Sequence, residues 1–189
     1  MTLKTELNRR KFLCLAGSVA ATAVSPQIIA APAVHTGRTA SQEKQLSMLN
    51  LHTGERVDTT FWVAGRYLPD GLSDINKVLR DHRNNQVAKI DVELIDLLHR
   101  LHSKTGTSEE IQIISAYRSP ETNAMLRKKS NGVAKRSLHM QGKAVDIRMS
   151  DISLDRLHKA ALQLRGGGVG YYRKSNFIHL DVGRVRSWG

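Results

Sequence analysis

His139, Asp146 and His179 are the residues whose types and spacing could do chemistry together in this sequence. Two imidazoles and a carboxylate suit a divalent transition metal. Three protein donors leave the fourth tetrahedral position open for water, the layout of a catalytic rather than a structural site. The case for their meeting rests on a period of two. Lys143 to Met149 alternates as a strand, with Val145, Ile147 and Met149 on one face and Ala144, Asp146 and Arg148 on the other. Asn176 to Val182 does the same, with Ile178, Leu180 and Val182 opposite Phe177, His179 and Asp181. If both apolar faces cover one core, Asp146, His179 and Asp181 point the same way, and neighbouring strands bring an Asp and a His within cross-strand reach. His139 lies on the loop entering the first strand, where Gly142 lets the backbone turn closely. Taken alone, these spacings are also those of ordinary satisfied polar residues.

The elements that must position these groups follow from periodicity. From Gln45 the chain alternates, with Leu46, Met48 and Asn50 against Ser47, Leu49 and Leu51; a turn at His52-Thr53-Gly54-Glu55 and a second extended run, Arg56 to Val63, predict a hairpin. Leu72, Ile75, Val78 and Leu79 predict a helix reaching about Arg83. Leu94, Ile95, Leu97, Leu98 and Leu101 predict a second one, with Asp91 as N-cap. A strand is expected over Ile111 to Tyr117, ending at Arg118. Ser119-Pro120-Glu121 then restarts the chain as a helix, with Ser as the cap and Pro at the first position. A Gly/Ser/basic loop, Ser130 to Leu138, leads to His139. Leu154, Leu157, Ala161 and Leu164 define a further helix, closed by Gly166-Gly167-Gly168. Two extended segments, Val169 to Tyr172 and Asn176 to Val182, precede a basic tail ending at Trp188. The fold class is α+β, with a mainly antiparallel sheet carrying the site and helices flanking it.

The 189 residues carry 29 Lys+Arg against 17 Asp+Glu, a formal charge of +12, and one cysteine. Part of that charge belongs to a targeting segment. Lys4, Arg9, Arg10 and Lys11 precede an apolar stretch, Phe12 to Ala23, and Ala31-Pro32-Ala33 offers an A-x-A cleavage pattern. The adjacent arginines of NRRKFL have the form of a twin-arginine export signal. Residues 1–33 are therefore expected to be a cleaved signal peptide read by the twin-arginine translocation machinery, 34–44 a linker, and 45–189 the folded domain of a periplasmic protein with no stable membrane span. Cleavage near Ala33 would remove four Lys/Arg, one Glu and Cys14, leaving +9 in 156 residues. That dispersed charge suits an anionic wall polymer rather than nucleic acid, for which a clustered basic stripe with aromatics would be expected.

The segment SLHMQGKAVDI, Ser137 to Ile147, resembles the S-x-H-x-x-G-x-A-x-D signature of the LAS-type zinc peptidases. SAYRSPETN, Ser115 to Asn123, resembles their arginine motif, and FIHLDVG, Phe177 to Gly183, resembles their last histidine strand. From about Gln45 to Trp188 the chain is most similar to the YcbK-like, murein endopeptidase K branch. The resemblance implies a hedgehog/D-Ala-D-Ala peptidase-like fold and one Zn2+ per chain held by His139, Asp146 and His179. It also implies hydrolysis of amide bonds in peptidoglycan peptide stems or cross-links by a metal-activated water. Arg118 would hold the scissile carbonyl, and Ser137 would bind a substrate carboxylate or orient its loop. Several better-known relatives carry Glu or Asp three residues before the last histidine, where this chain has Asn176, so Asp181 is the candidate base, with orientation of a histidine ligand as its other role. A catalytically inactive metal- or wall-binding module and a D,D- or L,D-carboxypeptidase are the alternatives. His52, His99, His102 and His158 are read as surface or capping groups, and Trp62, Tyr117, Tyr171 and Tyr172 as groove or core aromatics.

Overall fold

The computed structural model describes residues 42–189 apart from Asn131, so the signal peptide and most of the linker lie outside the described residues. Strands β1 (Glu43–Asn50) and β2 (Arg56–Val63) form the expected hairpin, extended by the short β3 (Arg66–Tyr67). β1 begins two residues before the alternation does, because Glu43 and Lys44 already pair with Val63 and Trp62 ahead of an irregularity in the register. The sheet continues with β4 (Ile111–Ser115), β5 (Ala144–Arg148), β6 (Gly168–Tyr172), β7 (Phe177–Asp181) and β8 (Arg186–Trp188). Its order is β3-β2-β1-β4-β5-β7-β6-β8. Only β1/β4 and β6/β8 run parallel, so the architecture is α+β with a mainly antiparallel sheet, consistent with the hedgehog-like peptidase fold.

Helices α1 (Pro69–Val78), α2 (Val92–Thr105) and α4 (Leu154–Leu164) supply apolar residues to one core, while α3 (Pro120–Lys129) stands beside the site. The core joins Leu46, Met48, Ile113, Val145, Ile147, Ile178 and Leu180 of the strands to Ile75, Leu94, Leu98, Leu101, Leu157 and Ala161 of the helices. Each large aliphatic side chain fully buried there contributes about 1.5–3 kcal/mol. That apolar face forces the alternate strand residues, Asp146, His179 and Asp181 among them, to the opposite face. The caps behave as their residue types require: the Asp91 carboxylate accepts from the Glu93 N–H at 3.0 Å, and the Ser119 hydroxyl accepts from the Thr122 N–H at 3.1 Å.

Four local expectations are corrected. α1 stops at Val78 instead of near Arg83, because the buried Asp81 carboxylate accepts from the N–H groups of Arg83 and Ser119 and so turns the chain to hold the start of α3. β4 ends at Ser115 instead of Tyr117: the Tyr117 N–H donates to the Leu79 carbonyl, and the Arg118 N–H to that of His139. α4 is closed by Arg165, left-handed at φ 48, and not by the glycine run. The basic tail is the eighth strand, paired with β6.

Candidate metal centre

β5 and β7 pair so that Asp146 stands directly opposite His179. The row extends on both sides, from Ser115 on β4 through Asp146 and His179 to Gly170 on β6 and Trp188 on β8. His139 arrives from outside the sheet on a short 3-10 helix, Leu138–Gln141. The Ser137 hydroxyl caps that turn, accepting from the His139 N–H at 3.4 Å. Gly142 closes it at φ 66, where a Cβ would also overlap the Lys89 carbonyl oxygen. The chain can therefore turn at once into β5, which places His139 over Asp146.

The three side chains converge. His139 Nε2 lies 3.2 Å from His179 Nδ1 and 3.4 Å from Asp146 Oδ1, and the last two atoms are 2.9 Å apart. The other nitrogen of each ring is committed. His139 Nδ1 is 2.6 Å from the Ala116 carbonyl oxygen, which can only accept, so the proton sits on Nδ1 and the Nε2 lone pair faces the centre. His179 Nε2 donates to Asp181 Oδ2 at 3.0 Å, which leaves the Nδ1 lone pair facing the same point. Three lone pairs this close repel one another unless a proton or a metal ion stands among them. Ligands of a tetrahedral ion with bonds of about 2.0–2.1 Å are about 3.4 Å apart, so the triangle fits such an ion with shifts of a few tenths of an ångström. Among the described residues these three are the group of donors able to hold a metal ion.

Electrostatics agree with that role at His139 and Asp146. Burial, the largest influence, holds the His139 imidazole below its ordinary value and so keeps it a neutral ligand. Burial also acts to lower His179, but the Asp146 and Asp181 carboxylates outweigh this and raise it, so without a metal ion Nδ1 can hold a proton towards Asp146 that an ion would displace. For Asp146 burial acts upward, yet His139, His179 and Arg118 together hold the carboxyl well below the usual carboxylate range. Arg118 Nη2 donates to Asp146 Oδ2 at 2.6 Å and Nε to the Ser115 hydroxyl at 2.9 Å. Its Nη1 has no protein acceptor among the described residues, and the side chain lines the cavity.

Asp181 is fully buried and its two oxygens receive five hydrogen bonds. Oδ1 accepts from the N–H groups of Gly168 (3.0 Å) and Gly183 (2.8 Å) and from Arg186 Nη1 (3.1 Å); Oδ2 accepts from Arg186 Nη2 (2.7 Å) and His179 Nε2. Those donors override the upward push of burial and hold it well below the carboxylate range. Asn176, left-handed at φ 52, lines a separate recess with Gln112 and Arg148.

A cavity of about 480 Å³ opens over the three donors, lined by Ser130, Arg136 and Ser137 and by Tyr172, Phe177 and Trp188. Of the four aromatics considered from sequence only Tyr172 is here. Trp62 pairs with Lys44 and Tyr67 on the β1–β3 side, Tyr117 is in the core, and Tyr171 packs on His158. Sequence reasoning missed Arg186 and Trp188. The signal was a match of i, i+2 pairs, Gly168 and Gly170 with Arg186 and Trp188, which becomes legible only once β6 and β8 are known to be neighbours.

A protein-family model described as Peptidase_M15_2, peptidoglycan L,D-endopeptidase MepK, matches residues 38–188. The peptidoglycan L,D-endopeptidase MepK of Escherichia coli (strain K12) is 43% identical over 185 residues, 98% of this chain and 99% of the relative. The MepK of Shigella flexneri matches to the same extent. The probable peptidoglycan L,D-endopeptidase MepK of Haemophilus influenzae is 39% identical over 182 residues, 96% of this chain and 95% of the relative.

Proposed function

The chain belongs to the peptidoglycan L,D-endopeptidase MepK family of peptidases, and on that premise we propose that it is a zinc-dependent peptidoglycan hydrolase that cleaves amide bonds in peptide cross-links as an L,D-endopeptidase. The observation that carries the reading is the donor set: two histidines whose outer nitrogens are bound elsewhere and a carboxylate, converging within 3.4 Å. A tetrahedral set of two imidazoles and one carboxylate with an open position supports zinc among the divalent ions. When bound, the ion supplies Lewis acidity, which polarises an amide carbonyl and makes water nucleophilic near neutral pH.

The chain's own residues do the rest. Arg118 fixes Asp146 through its outer oxygen and keeps Nη1 for the carbonyl oxygen of the scissile amide and the charge that grows there. Ser137 orients His139, and its hydroxyl hydrogen remains able to bond a substrate carboxylate. Asp181 is assigned to orienting His179 rather than to proton transfer. A carboxylate held far below neutrality with both oxygens occupied is a weak base.

The N-terminal pattern supports export. Residues 1–33 act as a twin-arginine signal, 34–42 as a linker, shorter than expected because Glu43 and Lys44 pair within β1, and 43–189 as the peptidase domain, delivered to the periplasm where the murein stems lie. No helix among the described residues is long and apolar enough to cross a membrane. Digestion of purified sacculi, with mass analysis of the released peptides, tests the activity. L,D cross-links should disappear with the zinc-loaded protein and persist with chelator or with His179→Ala. Release of single terminal residues instead of separated stems would replace the endopeptidase reading with a carboxypeptidase one. Processing of an Arg9→Lys, Arg10→Lys precursor at the normal rate would overturn the export route.

A further inference from the structure

The last strand reaches the metal centre by passing over two empty positions. In the sheet register Gly170 on β6 lies between His179 on β7 and Trp188 on β8. With no side chain there, the indole leans across β6 to 5.2 Å from the His179 ring, centroid to centroid. A Cβ at Gly170 would come within 2.6–2.8 Å of three indole atoms. One step along, Gly168 leaves the same opening for Arg186, whose guanidinium crosses to Asp181; a Cβ there would lie 2.5 Å from Asp181 Oδ2.

The Trp188 ring is fixed twice more. Its Nε1–H donates to the Tyr172 hydroxyl at 3.0 Å, and the Arg186 guanidinium lies 4.9 Å over its face. Tyr172 is in turn stacked on Phe177 at 4.6 Å. Yet Trp188 and Tyr172 remain 36% and 39% exposed, and both line the cavity above the three metal donors. The part of each locked ring left open to water gains nothing for folding, because that apolar area stays wet. Such rings are well suited to binding, since a rigid aromatic face receives hydrocarbon without further ordering.

We propose that the Trp188 indole, with Tyr172, is the wall against which hydrocarbon of the stem peptide packs on one side of the scissile amide, making Trp188 a substrate-binding residue. The proposal rests on the peptidase reading of the same site and adds to it the face on which the substrate is held. The loop before His139 lines the same cavity with Ser130, Arg136 and Ser137 but also with Val133, Ala134 and Leu138.

The chain has two tryptophans, and Trp62 lies on β2 under Lys44, outside the cavity. Trp62→Phe thus leaves Trp188 as the sole reporter while retaining normal hydrolysis. Titrating the zinc-loaded Trp62→Phe protein with uncross-linked murein stem peptides should change the Trp188 emission saturably. With soluble cross-linked stem peptides as substrate, Trp188→Ala and Gly170→Ala should each raise KM by about tenfold, with Trp188→Phe within about threefold of the parent and zinc affinity unchanged. Gly170→Ala keeps the indole and displaces it, so it tests the wall even if removal of Trp188 weakens β8. An unresponsive emission alongside normal hydrolysis, or a fall in zinc affinity and kcat with KM unmoved, would overturn the wall and reduce Trp188 to packing for His179. Absence of any hydrolysis by the zinc-loaded wild type would overturn the peptidase reading itself.

Discussion

Replacing Asp181 by Asn separates the two roles open to this carboxylate, because the substitution keeps its shape and removes one acceptor. The Asn carbonyl oxygen can take over the Oδ1 set, the N–H groups of Gly168 and Gly183 and Arg186 Nη1. Its NH2 group must then face Arg186 Nη2 and His179 Nε2, both of which donate in the native chain. Arginine cannot give up a proton, but its side chain is partly exposed and can swing to water. The imidazole can relieve the conflict only by moving its proton to Nδ1, the atom that faces Asp146 and His139. Each molecule in that tautomer has lost a metal ligand. Loss of an orienting carboxylate of this kind costs about 10–100-fold in metal affinity, or about 1.4–2.7 kcal/mol. The cost to the fold itself is about 1–3 kcal/mol for the lost charged hydrogen bonds. Competition with a chromophoric chelator measures zinc affinity, a thermal melt of the metal-free protein measures stability, and kcat is read at saturating zinc. Weakened zinc binding with activity substantially restored by excess zinc is the expected result. Zinc affinity equal to wild type together with a loss of kcat by orders of magnitude would refute the orienting role and make Asp181 the base.

Arg118→Lys cannot both hold Asp146 and face the cavity, since one ammonium replaces a planar fork bonded at 2.6 and 2.9 Å. kcat/KM should fall by about 10²–10³-fold in steady-state assays while zinc affinity changes by less than about tenfold. Gly142→Ala forces a Cβ into the Lys89 carbonyl at φ 66, so it should lower stability by at least about 2 kcal/mol, a drop of about 4–8 °C in Tm. It should also weaken zinc binding by displacing His139. His82, stacked on His52 at 3.9 Å, is held down to about 4, foremost by burial and then by His52. Between about pH 6.5 and pH 4 the unfolded chain therefore carries a proton that the folded one refuses. Stability falls as the pH drops through that window and the loss levels off below it. For this half-buried ring about 1 kcal/mol should be lost by pH 5, well under the unscreened ceiling of about 2. The pH dependence of melting should be correspondingly shallower in His82→Asn.

The convergence of His139, Asp146 and His179 was legible in the sequence because their placement follows from local rules. A period of two in Lys143 to Met149 and Asn176 to Val182 decides which side chains leave the core, and the antiparallel pairing of two hydrophobic strands then puts Asp146 opposite His179. The caps at Asp91 and Ser119 were legible for the same reason, since a cap is decided within three residues. What surrounds the donors was not, and the cause is strand order. Residues 186–188 follow β7 in sequence yet pair on the far side of β6, so Arg186 and Trp188 meet Asp181 and His179 only by crossing Gly168 and Gly170. Neither G-V-G nor R-S-W marks itself as part of a site when read alone. The same holds for Ala116 and Asp81, which leave a predicted strand and a predicted helix so that a backbone carbonyl and a carboxylate can hold His139 and the start of α3. Residue types thus announce which atoms could hold a metal, whereas the protonation state and aim of those atoms are set by contacts whose partners only the assembled sheet selects. It follows that substitutions at Gly168 and Gly170, which bear no functional group, should disturb the site more than substitutions at the exposed charged residues of α3.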